Sequence, residues 1–230
     1  MQQMEFDVVI LAGGLGTRLR SVVADLPKCM APVNGRPFLQ ILIEKLRNQG
    51  QGRIILSTGY LSEAIEAWVR ESYPDPQISI FREENPLGTG GAIRAAISLS
   101  NAADVLVCNG DTLFDIDVAA LYAFHRKMGA DCSVALKPMK HFDRYGRVDL
   151  GEDGWVKAFR EKEFCNEGFI NGGVYVIRRE AFLKLDLPDK FSFEEGYLSK
   201  YPIAGMVQDA YFIDIGIPED FARAQVELHR

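Results

Sequence analysis

The chain has 230 residues, 47% of them hydrophobic and 25% charged, which excludes wholesale disorder and low-complexity architectures. Its 26 Lys and Arg against 32 Asp and Glu leave a formal charge of −6 without any basic block, so nucleic acid is not an expected partner. The apolar run 8–12 is too short to span a bilayer, and the scattered Cys29, Cys108, Cys132 and Cys165 form no C-x-x-C pair, so buried thiols in a cytoplasmic protein away from membranes are the expectation.

In chain order, the β-branched run 6–11 predicts a buried strand ending at Gly13-Gly14. The spacing of Phe38, Leu39, Ile41, Leu42, Ile43 and Leu46 predicts a helix over 37–48. A strand over 53–58, a helix over 61–70 and a short strand over 77–82 come next, then a helix over 91–100 and a strand over 104–108. Beyond that the rhythm changes to strands over 130–138, 146–150, 155–160 and 173–177 joined by short turns, with a closing helix over 220–229. Alternating strands and helices are the mark of βαβ units. The expectation is a single Rossmann-like α/β domain over 1–230, with a mixed, mainly parallel central sheet flanked by helices and an added β-hairpin region.

The stretch Leu11-Ala12-Gly13-Gly14-Leu15-Gly16-Thr17-Arg18 follows directly on the first strand. Glycines there let backbone N–H groups approach phosphate oxygens without a Cβ in the way. It is not a Walker loop, because no Gly-Lys-Ser/Thr triplet follows. The dinucleotide fingerprint starts at Gly14 and Gly16 but fails at Leu19, where a glycine is required. Downstream come Pro27-Lys28 and the stretch 30–37. Arg18 can fork onto phosphate oxygens, and Lys28 supplies a point charge.

This pattern resembles the signature of sugar-1-phosphate nucleotidylyltransferases, G-x-G-T-R followed by P-K and P-V-x-G-x-P. It departs at Arg20-Ser21, where relatives commonly carry a proline. Further segments are similar to the family's: Asn85-Pro86-Leu87-Gly88-Thr89-Gly90-Gly91-Ala92, Asn109-Gly110-Asp111, Phe159-Arg160-Glu161-Lys162, Asn171-Gly172-Gly173-Val174-Tyr175, and the stretch 212–220 around Asp214. Glu163 stands where the family usually has proline after the lysine.

The resemblance implies a nucleotidyltransferase domain, with nucleotide binding in 1–115 and sugar-phosphate binding in 116–230. Leu11, Ala12, Gly13, Gly14, Gly16, Thr17, Gly88, Thr89, Asn109 and Gly110 would contact the nucleotide. Asp111 and Asp214 would hold Mg²⁺. Glu161, Lys162, Asn171 and Gly172 would hold the sugar phosphate, and Arg18, Lys28 and Lys162 would be the catalytic cations.

The implied reaction is attack by a sugar 1-phosphate on the α-phosphorus of a nucleoside triphosphate, with release of pyrophosphate. The segment Pro-Leu-Gly-Thr-Gly-Gly resembles the guanylyltransferase side of the family, which implies GTP and a heptose 1-phosphate as partners and an NDP-sugar for cell-surface glycans as product. Uridylyl or thymidylyl transfer to glucose, mannose or N-acetylmuramate 1-phosphate is the alternative within the family, and a non-catalytic nucleotide-sugar sensor is the alternative outside it. Homo-oligomerisation is left open. The D-x-D spelling at Asp115-Ile116-Asp117 has no supporting context for a glycosyltransferase, and His125 and His141 have no Ser or Cys in a triad-like setting, so catalysis is not expected of them. Glu83-Glu84 and Glu194-Glu195 read as solvated pairs, although a carboxylate near the base could accept from guanine N1 and N2 protons.

Overall fold

The structure, a computed structural model, describes residues 6–14, 19, 23, 25–50, 52–74 and 78–228. The N-terminal half alternates as expected. Strand β1 (Asp7–Leu11) leads through a 3-10 turn at Lys28–Met30 and the small ribbon β2 (Pro32–Val33) and β3 (Arg36–Pro37) into helix α1 (Phe38–Arg47). Then come β4 (Ile54–Thr58), α2 (Ser62–Ser72), β5 (Ile78–Arg82), α3 (Gly88–Ser98), β6 (Asp104–Asn109), β7 (Thr112–Phe114) and α4 (Val118–Met128). The second half contains β8 (Cys132–Phe142), β9 (Gly146–Leu150), β10 (Val156–Lys162), β11 (Cys165–Arg178) and α5 (Arg179–Leu183). It closes with a π-helical turn at Glu194–Leu198, β12 (Ala204–Val207), β13 (Phe212–Asp214) and α6 (Pro218–Glu227).

A nine-stranded sheet runs in the order β10-β9-β11-β6-β1-β4-β5, with β8 pairing β11 and β12 off that path. Strands β6, β1, β4 and β5 are mutually parallel, whereas β11 lies antiparallel to β6, β8 and β9 and so carries the hairpin region. Side chains alternate across β1: Val8 and Ile10 join the core under α1, and Val9 joins Ile55, Ile93 and Val107 in the core on the other face. All four cysteines are free and buried, and burial pushes the Cys29 and Cys108 thiols up to about 12.

Several elements escape the sequence pattern. Helix α4 buries only Val118, Leu121 and His125, too thin a stripe to show an apolar period. Strand β11 starts at Cys165, well before the predicted 173, because a register irregularity between Asn171 and Tyr175 interrupts its alternation. Helix α3 starts at Gly88 rather than near Gly91, because its glycine-rich first turn is packed against Phe191.

Two pairings position the site. Leu11 of β1 lies opposite Asn109 of β6, and the Gly110 N–H donates to the Leu11 carbonyl at 2.9 Å, so both loops leave the sheet side by side. In the ribbon of β7 and β13, Thr112 pairs with Asp214, and Ile215 N–H donates to the Asp111 carbonyl at 3.0 Å. That ribbon brings together aspartates that are far apart in sequence.

Candidate active site

Beyond the carboxyl ends of β1 and β6 lies a cleft of about 350 Å³, lined among others by Gly14, Lys28, Asn109, Asp111, Lys162 and Asp214. Open α/β sheets bind ligands at this end of their strands. Lys28 Nζ sits 2.5 Å from Asp111 Oδ2 and 3.6 Å from Asp214 Oδ1. Burial, followed by the Asp111 carboxylate, raises the Asp214 carboxyl above its ordinary range, with Lys28 and the Gly216 N–H pulling the other way. Two carboxylates thus converge on one ammonium, an arrangement suited to exchanging cations.

An adjoining cavity of about 370 Å³ shares Asn109, Thr112, Tyr145, Lys162 and Asp214 with the cleft and adds Asn171, Gly172 and Glu194. Asn171 is fixed from both sides of its amide: Nδ2 donates to the Tyr175 hydroxyl at 2.8 Å, and Oδ1 accepts from Gly173 N–H at 3.0 Å. Lys162 ends β10 opposite Gly146 and makes no ion pair among the described residues. Its ammonium is therefore available to an anion.

The remaining sequence candidates divide. Arg18, Gly16 and Thr17 lie outside the described residues. Glu161 is exposed and lines neither cavity; it falls between Phe159 and Lys162, where the β9–β10 register shifts. Thr89 Oγ1 donates to Glu194 Oε2 at 3.0 Å and accepts from Phe193 N–H at 2.8 Å, and the Gly90 N–H donates to the Phe191 carbonyl at 2.9 Å. The start of α3 is thereby pinned to 191–194, and these groups are already engaged.

Glu83 separates from Glu84 once placed in space. Its backbone N–H donates to the Thr58 carbonyl, and its Oε2 accepts from Leu87 N–H at 3.0 Å. A Cβ added to Gly13 would fall 3.0 Å from Glu83 Oε1, so the carboxylate stands between the first glycine loop and the second. It is half-buried, and burial raises its carboxyl above the ordinary range, whereas Glu84 is exposed. Arg144 and Tyr145, which sequence reasoning passed over, also line the cleft. Their only sequence signal is a cation and an aromatic beside a glycine in a turn between strand-like runs.

The histidine reading needs a correction. His125 Nδ1 lies 2.9 Å from Ser133 Oγ, and its Nε2 is 3.6 Å from Asp104 Oδ1, so a Ser–His–Asp group does exist in space. All three residues are buried, and none lines either cavity described above, so no substrate reaches them. Burial alone pushes the Asp104 carboxyl up, but His125, Arg126 and Tyr122 together bring it below its ordinary range. The group joins α4 to β6 and β8. The D-x-D residues are likewise committed: Asp117 caps α4 by accepting from Ala120 N–H at 2.9 Å, and Asp115 pairs with Lys45 at 2.7 Å.

An α/β sheet with a cation, paired aspartates and glycine loops at its carboxyl edge defines a protein that handles phosphate esters of nucleosides. A family model described as Nucleotidyl transferase matches residues 7–230, and the chain belongs to that family of enzymes. Over 226 residues it is 47% identical to the D-glycero-alpha-D-manno-heptose 1-phosphate guanylyltransferase of Aneurinibacillus thermoaerophilus, covering 96% of this chain and 98% of that protein. It is 43% identical to the enzyme of the same name from Campylobacter jejuni, with 93% and 96% covered. The crystal structure of HddC from Yersinia pseudotuberculosis complexed with GMP-PN superposes with a TM-score of 0.88 at 39% identity, covering 97% of this chain and 99% of that one. UTP-bound UGPase from Acinetobacter baumannii, at 19% identity and a TM-score of 0.76, shares the fold.

Proposed function

We propose that the chain transfers a guanylyl group from GTP to D-glycero-alpha-D-manno-heptose 1-phosphate, releasing pyrophosphate and forming a GDP-sugar in the cytoplasm. Two relatives matched over nearly their whole length carry that activity in their names. The observation on this chain that supports the base is Glu83. Guanine offers adjacent N1–H and N2–H donors, and the Glu83 carboxylate between the two glycine loops offers Oε1 and the remaining lone pair of Oε2, whose other takes the Leu87 N–H. An amide at the same place would present one acceptor and one donor, which complements uracil or thymine instead.

The sugar's phosphate is already an anion at neutral pH, so no general base is required. One of its oxygens attacks the α-phosphorus, the bond to the β-phosphate oxygen breaks, and pyrophosphate leaves with the electron pair. Catalysis rests on alignment and charge neutralisation. In this reading residues 1–115 hold the triphosphate and 116–230 the sugar phosphate. Gly13 and Gly14 admit the nucleotide close to the backbone, Lys28 and Arg18 neutralise the triphosphate, and Lys162 receives the incoming phosphate. Asn171 and Gly172 line the sugar cavity.

Asp111 and Asp214 are the residues that would hold Mg²⁺. Their donor set fits, because Mg²⁺ takes one or two carboxylates and completes its shell with phosphates and water. No group of three or more His, Cys, Asp or Glu that could hold a metal ion gathers among the described residues. When bound, the ion supplies charge neutralisation to the triphosphate and its leaving group.

The test is Glu83→Gln. It should lower kcat/KM with GTP by about ten- to a hundredfold, the cost of losing one charged hydrogen bond and facing a donor with a donor. UTP should be less affected, so the ratio of GTP to UTP use should fall. An unchanged ratio would contradict the assignment of the base.

A further inference from the structure

We propose that Arg144 is a second cation for the phosphate of the sugar 1-phosphate, held in place by the buried carboxylate of Asp220. The inference rests on the reading of the cleft given above. Arg144 lies in the turn between β8 and β9, and its side chain lines the same cleft as Lys28, Asp111, Lys162 and Asp214. Its Nη2 donates to Asp220 Oδ2 and reaches the Tyr145 hydroxyl at 3.4 Å, and its guanidinium carbon stands 5.6 Å from the Tyr145 ring centre. Asp220, in the first turn of α6 and only 6% exposed, takes Arg223 on its other oxygen at 3.1 Å.

Three features point this group at an anion. A guanidinium carries five N–H donors in a fixed fork, and the contacts above engage Nη2 alone, which leaves Nη1 and Nε for a ligand. The position then fits the second substrate. Lys162 pairs across the β9–β10 ladder with Gly146, two residues beyond Arg144, so both cations border the cleft from one edge. Tyr145, adjacent to Arg144, also lines the neighbouring sugar cavity. Finally, Lys28 lies against Asp111 and Asp214, where this reading gives it to the triphosphate, so a second phosphate entering from the sugar side meets Lys162 and Arg144.

Asp220 would retain Arg223 if Arg144 were removed, so Arg144→Ala leaves no lone carboxylate buried. The variant should raise KM for the sugar 1-phosphate about ten- to a hundredfold, the loss of one charge-assisted contact, with KM for the nucleotide within about twofold and the thermal midpoint close to wild type. Arg144→Lys should recover only part of the loss, because an ammonium cannot hold Asp220 and fork onto phosphate together. Calorimetric titration of heptose 1-phosphate and mannose 1-phosphate, in the presence of a non-hydrolysable GTP analogue, should show the same weakening without relying on turnover. Unchanged KM and affinity in Arg144→Ala would overturn the proposal, as would a fall in midpoint with KM for both substrates raised alike. Wild-type binding of a sugar 1-phosphate without turnover would count against the proposed function and leave the titration to decide Arg144. No binding of either sugar by wild type would overturn both.

Discussion

At Asp214 the carboxyl is raised first by burial and then by the neighbouring Asp111 carboxylate. A carboxyl raised on folding lends stability that is fully present below its unfolded pKa and is lost as pH rises through its folded one. Once ionised, Asp214 is therefore a stability cost, one that the proposed Mg²⁺ site would put to use. Asp214→Asn should remove that cost, since an amide oxygen can still accept the Gly216 N–H at 2.7 Å and Lys28 keeps Asp111 at 2.5 Å. In metal-free protein the variant's thermal midpoint should match wild type below about pH 3 and rise above it towards pH 7. Turnover should fall on the order of 10²-fold or more. A variant less stable than wild type at pH 7 would show that Asp214 is a structural group. Asp214 was legible in sequence through the likeness of 212–220 to the family's segment, and its place between two isoleucines, where an unpaired carboxylate is costly, agrees with that. Glu83 was half legible, since only folding separates it from Glu84. Arg144 was not, because its role arises from the spatial meeting of a turn with the first turn of α6.

At the scale of elements, the start of α3 depends on close backbone approach. Gly88 has a φ of +70°, and a Cβ on Gly90 would lie 2.1 Å from the Phe191 ring. Gly90→Ala therefore sets two effects against each other. Helix propensity favours alanine by about 1 kcal/mol, whereas overpacking a buried aromatic costs about 1–3 kcal/mol. The contact is so short that overpacking should win, and the variant should unfold at lower denaturant than wild type. Equal or greater stability would mean that Phe191 does not pin this turn. The elements legible in sequence, β1, α1 and β4, have dense apolar periods. Those that were missed lacked one: α4 buries a histidine in place of an aliphatic, and β7 and β13 are too short for a period to register. The short ribbon of β7 and β13 nevertheless places both aspartates.

Taken as a whole, the molecule is a parallel α/β layer extended by antiparallel strands, and the candidate site spans the seam where β6 meets β11. The α/β class and the glycine loop were readable from alternation and spacing. The buried Ser133–His125–Asp104 group was not, since its members come together only through β6, α4 and β8. Among the described residues no helix is long and apolar enough to cross a membrane. The account stands on one reaction at that seam. Its most direct test is pyrophosphate release with Mg²⁺, crossing GTP, UTP, dTTP and CTP against heptose, mannose and glucose 1-phosphates. Release with GTP and the heptose, far above every other pair, is the expected result. Comparable release with UTP or dTTP, or none from any pair, would contradict it.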